Sequence, residues 1–120
     1  MRADELMIGD WVLNGCGNPI LVKELLEDGI NGEWDGSECY GVEVYIDEIE
    51  PIPIDLDILE KNGWKGGAGE NIRFKSPYIL VKKNGVWNML YNTTKIAEIR
   101  FVHELQNIMR MTGYQGGFKV

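Results

Sequence analysis

Two thiols, Cys16 and Cys39, and a single imidazole, His103, carry the most reactive side-chain chemistry in this 120-residue chain. A thiolate nucleophile needs a base within hydrogen-bond reach, and no local motif ties either cysteine to His103. Two free thiols in a reducing compartment is the favoured reading, with a Cys16–Cys39 disulfide left open. The carboxylates are numerous, but an acid and base pair of the glycosidase kind requires a defined separation, so a solvated acidic face explains them better. Gly15-Cys16-Gly17-Asn18-Pro19 lacks the third glycine of a dinucleotide turn, and Gly66-Gly67-Ala68-Gly69 lacks the lysine and hydroxyl of a P-loop. The oxygen-rich run from Asp28 to Asp35 places Ile30 where a calcium loop of EF-hand type requires Asp or Asn, so it reads as a turn. No catalytic residue, metal centre, cofactor or small-molecule ligand is indicated, and the chain reads as noncatalytic.

Two groupings point to binding instead. His103, Gln106, Asn107 and Arg110 recur at helical spacing and form a polar stripe, the first candidate contact surface for a protein partner. Arg73, Lys75, Lys82 and Lys83, with Tyr78 and Trp87, could touch a nucleic acid. The bases would neutralise phosphate while a ring stacks on an unpaired base.

These residues need elements to position them. Strands are expected at Asp10 to Leu13, Pro19 to Leu26, Gly29 to Trp34 and Tyr40 to Ile46, broken at Gly15–Pro19, Asp28-Gly29 and Asp35-Gly36. Val42, Val44 and Ile46 alternate with Glu43 and Tyr45, the period of a strand with one buried face. Such strands suggest a small, strongly bent antiparallel sheet resembling an SH3-like barrel. Pro51-Ile52-Pro53-Ile54 cannot be a central strand and should leave the sheet extended. Asp55 then caps a helix that ends near Lys61 and Gly63. Gly66 to Gly69 reads as a flexible connection. Asn84-Gly85 predicts a type I′ hairpin in which Lys82 faces Trp87, Leu80 faces Met89 and Tyr78 faces Tyr91. Burial of those rings is favoured because aromatics usually serve cores. Ile72 to Lys75 supplies a neighbouring strand, and a helix from about Arg100 to Thr112 turns Val102, Leu105, Ile108, Met109 and Thr112 inward.

The whole reads as one α+β domain over residues 1–120, with an acidic β-rich lobe to about residue 54 and a basic helix, hairpin and helix region after it. Residues 1–60 hold sixteen acids against Arg2 and Lys23, a net charge of −14, whereas residues 61–120 carry +7. Charges of one sign recruit partners of the other over about 8–10 Å in physiological salt. A four-cation patch beside so acidic a half should hold nucleic acid weakly. No segment has the apolar length of a membrane span or signal peptide, which places the protein in the cytoplasm by default.

Met7-Ile8-Gly9-Asp10-Trp11-Val12, Pro51-Ile52-Pro53-Ile54 with Leu59 and Gly63-Trp64, and Val102-His103-Glu104-Leu105-Gln106-Asn107 with Thr112-Gly113 occur in this order along the chain. This pattern resembles a family of small uncharacterised proteins frequent in gut bacteria and in their phages and integrated elements. Gly66 to Gly69 and Tyr114-Gln115-Gly116-Gly117-Phe118 depart from it. The resemblance implies a mobile-element setting and carries over no site residue. The expected function is a noncatalytic accessory or adaptor protein that binds a protein or a second copy of itself; weak nucleic-acid binding through the basic aromatic hairpin is the alternative.

Overall fold

A computed structural model describes residues 5–34, 41–67 and 69–120, with residues 34, 41, 67, 69 and 70 described by backbone alone. The predicted Asp35-Gly36 break, Cys39 and any disulfide to it, Tyr40 and Ala68 lie outside the described residues. The fold is α+β with two antiparallel sheets and two helices.

The first sheet runs β1 (Trp11–Leu13), β2 (Pro19–Leu26), β3 (Gly29–Trp34) and β4 (Gly41–Tyr45), each strand pairing with the next. The sheet stays open, with β1 and β4 at its edges, and does not close into the barrel the sequence suggests. A bulge between Val22 and Glu24 bends it. Its core is small: Leu6, Val12, Ile20, Val22, Ile30, Val44 and Ile49. Adjacent residues of a strand point to opposite faces. Val12 therefore enters this core while Trp11 joins the larger one behind it.

Ile52 and Ile54 are buried and alternate with the half-exposed Pro51 and exposed Pro53, and the extended segment accepts Val102 N–H at Ile52 O, 2.8 Å. Asp55 caps α1 (Leu56–Lys61) by accepting Ile58 N–H at 2.8 Å. The glycine run is not a loose connection. Lys65–Gly67 forms β5, an edge strand paired with β6 (Gly69–Lys75). Ladder hydrogen bonds need no side chain, so a glycine-rich segment can be held in a sheet by its backbone alone.

The second sheet continues with β7 (Tyr78–Lys83), β8 (Val86–Tyr91) and β9 (Thr94–Ile99). The hairpin has the predicted register, Lys82 opposite Trp87, Leu80 opposite Met89 and Tyr78 opposite Tyr91. Asn84 and Gly85 take φ of 53° and 78° at its turn. Helix α2 (Val102–Met111) lies over the face carrying Tyr78, Leu80, Trp87 and Met89, all at most 3% exposed. Glu104 Oε1 accepts the N–H of Arg100 and Phe101 at its start. Gly113, at φ 94°, ends it: its N–H reaches Arg110 O, and Tyr114 N–H reaches Met109 O.

Candidate functional site

The polar stripe of α2 is only partly open to solvent: Asn107 and Arg110 are half-buried. His103 and Gln106 are 3% and 4% exposed, because the segment before β1 and β1 itself pack on that side of the helix. As an edge strand, β1 has outward N–H groups that need partners. Leu13 N–H finds Glu50 O at 2.9 Å, and Trp11 N–H finds Gln106 Oε1 at 2.9 Å. The same amide donates from Nε2 to Gly9 O at 2.9 Å. Asn107 donates to Glu5 O, and Arg110 Nη1 donates to Asp10 Oδ1 at 2.7 Å and to Asn107 Oδ1 at 2.7 Å. Asp10 is fully buried, and its second oxygen receives Met7 N–H. The expected outward stripe is thus a joint between the helix and the first sheet. The helical period detects a polar face, but the peptide groups of an edge strand can bury such a face as well as water can solvate it. His103 stacks on Phe101, with ring centres 6.0 Å apart.

Of the six residues singled out for nucleic acid, register places Arg73, Lys75, Tyr78, Lys82 and Trp87 on the inner face of the second sheet and Lys83 on the outer one. Tyr78 and Trp87 are buried against α2, with Tyr78 Oη bonded to Thr112 Oγ1 at 2.6 Å, so neither ring offers a face to a base. Arg73 is 7% exposed and donates to Ile72 O. Lys75 donates to Asn62 O and sits over the Tyr114 ring, while Lys82 lies over Trp87. Lys83 projects from the opposite face of the sheet, beside a shallow groove with Val81, Val86 and Leu90. That outer face is largely aliphatic, with the half-exposed Phe74 ring opposite Ile79. The β9 edge next to it carries Lys95, Glu98 and a bulge, features that discourage strand pairing. The Lys95 ammonium, 2.9 Å from Glu98, holds that carboxyl below the usual range.

The acids behave as expected for a solvated face. Glu24, Glu27, Asp28, Glu33, Glu43, Asp47, Glu48 and Glu50 are all exposed. Register places Glu24 and Glu43 on either side of Asn31, on the same outer face as Glu33 and Tyr45. Tyr45 is 54% exposed there. Among the described residues the ion pairs are Lys23 with Glu33, Lys95 with Glu98, and Arg110 with Asp10. Among the described residues none of these eight carboxylates pairs with a cation of the second half, and Arg110 with Asp10 is the ion pair that joins the two halves.

Cys16 is exposed in the β1–β2 turn, where Asn14 Oδ1 accepts its N–H and that of Asn18. His103, by contrast, is buried on α2. Among the described residues no His, Cys, Asp and Glu side chains cluster as metal ligands, and no helix is long and apolar enough to cross a membrane. Comparison with protein-family models, with curated proteins and with solved structures finds no match.

Proposed function

We propose that the protein is a noncatalytic adaptor of the cytoplasm whose acidic outer sheet face docks a basic protein surface. One observation carries this reading: the carboxylates of the first sheet remain exposed, with Lys23 as their neighbour and no cation from the second half paired to them among the described residues. Keeping like charges together costs stability through self-repulsion, and a partner of opposite sign relieves that cost on binding. Tyr45, amphipathic and half exposed beside Glu43 and Glu24, supplies a ring of the kind that anchors interfaces. The mobile-element setting implied by the sequence resemblance is compatible with such a small accessory protein. The nucleic-acid alternative loses its stacking component, because Tyr78 and Trp87 serve the core.

The test is affinity capture from the host at low and moderate salt, with and without nuclease, comparing the wild type with Glu24→Gln/Glu33→Gln/Glu43→Gln. A defined basic partner that survives nuclease and is weakened on the order of ten-fold or more by the triple change supports the proposal. A partner indifferent to the triple change, or one seen only as a nuclease-sensitive complex, overturns it.

A further inference from the structure

Arg110 has a second surface besides the one it turns to Asp10. A cavity of about 300 Å³ lies between Trp11, Leu21, Met109, Arg110 and the C-terminal segment that contributes Tyr114 and Phe118. We propose that this cavity is a binding site for a planar aromatic carboxylate of one or two rings.

Size and lining set the body of the ligand. A cavity near 150 Å³ is enough to hold benzene, so about twice that volume accommodates a fused two-ring system. Its walls are two aliphatic and three aromatic side chains, which favour a flat apolar group. The polar groups set the head. Gln106 also lines the space, but both ends of its amide are committed to Trp11 N–H and Gly9 O. Arg110 spends Nη1 on Asp10 and Asn107, and its Nε and Nη2 have no protein partner among the described residues. Nη2 lies 2.9 Å from the point where a β-carbon on Gly9 would stand, so the missing side chain at Gly9, at φ 95°, makes room for the guanidinium against the cavity wall. A planar guanidinium with free N–H groups matches a carboxylate better than any neutral head group.

The walls are already in place. Trp11 Nε1–H donates to Phe118 O at 2.9 Å, and Lys119 exchanges hydrogen bonds with the Asn62 side chain at 2.8 and 2.7 Å. These bonds tie the C-terminal segment down on the far side of the cavity. Asp10, fully buried and doubly bonded, fixes the guanidinium without reaching across it. Little reorganisation is therefore required before a ligand enters.

The test is a nitrogen-15 NMR titration of the full chain with 1-naphthoate, using 1-naphthamide as the uncharged isostere. Naphthoate should move the Trp11 indole and Gln106 side-chain amide signals, and naphthamide should bind about ten-fold more weakly or worse. Arg110→Lys, which keeps a cation beside Asp10 but removes the fork, should lose a similar about ten-fold. Leu21→Trp should fill the cavity and abolish binding. Contacts between naphthoate ring protons and the Leu21 and Met109 methyl groups, read by NOE in the unaltered protein, locate the site if that variant does not fold. Equal binding of the amide, undiminished binding by Leu21→Trp, NOEs to other residues, or silence of the Trp11 indole at millimolar naphthoate would each overturn the proposal.

Discussion

Replacing Gln106 by alanine should do more damage than any other change to the polar side of α2 that leaves charge intact. The side chain is 4% exposed and satisfies two backbone groups ninety-odd positions away in sequence, Trp11 N–H and Gly9 O, each at 2.9 Å. Alanine strands both. An orphaned buried backbone group costs about 1–3 kcal/mol, so the pair should cost roughly 3–4 kcal/mol. At about 3–5 °C per kcal/mol for a chain of this size, the melting temperature should fall by about 10–20 °C. Asn107→Ala is the milder comparison: it loses an exposed 3.2 Å bond to Glu5 O and the 2.7 Å contact with Arg110 Nη1, which keeps Asp10 as its partner, and should cost about 1–2 kcal/mol. Urea unfolding followed by circular dichroism measures both, and hydrogen exchange should show the Trp11 amide losing protection first. If Gln106→Ala lies within about 1 kcal/mol of wild type, the joint between helix and first sheet is not held by this amide and the reasoning fails.

Glycine positions give a graded set. A β-carbon on Gly29 would stand 2.1 Å from Val44 O in the neighbouring strand, so Gly29→Ala should prevent β3 and β4 from pairing and abolish the folded first sheet, seen as lost amide dispersion. Gly85→Ala meets no atom within 4 Å and pays only for its φ of 78°, about 1 kcal/mol by urea unfolding. Asp55→Ala removes the bond to Ile58 N–H and should likewise cost about 1 kcal/mol. Carbon-13 titration should find Glu98 below the ordinary glutamate range and Lys95→Ala should restore it. A carboxyl with a folded value below its unfolded one stabilises above the unfolded value and loses that effect as pH falls through the folded one. An unchanged Glu98 in Lys95→Ala would refute the assignment.

Local signals in the sequence translate into structure where a few neighbouring residues decide the geometry. Asn84-Gly85 fixes the hairpin register because two adjacent positive φ values suffice, and Asp55 marks α1 because capping is a three-residue event. Strand β9 escapes the same reasoning. Its turn uses Asn92 and Thr93 at φ 49° and 72°, and a β-branched residue there is uncommon enough that no turn rule anticipates it. Within β6 the apolar and polar alternation points to the right strand, but its faces are the reverse of what hydropathy alone favours: Arg73 is buried and Phe74 is 41% exposed. The guanidinium is accommodated on the inner side through hydrogen bonding, which no hydropathy pattern records. The α2 stripe is the clearest case. Its spacing identifies a coherent polar face, yet whether that face meets water or the unpaired edge of β1 depends on where residues 5–13 fold, a tertiary fact. Arg110 and Trp11 reach the same cavity only through that docking.

The acidic face of the first sheet is the surface on which the functional proposal stands, and mapping it in a complex is the direct test. Hydrogen exchange of the captured complex, after nuclease treatment and compared with the free protein, should show protection confined to β2, β3 and β4, with α2 unchanged. Protection on the outer face of the second sheet or on α2, with none at Glu24, Glu33, Glu43 and Tyr45, would contradict it.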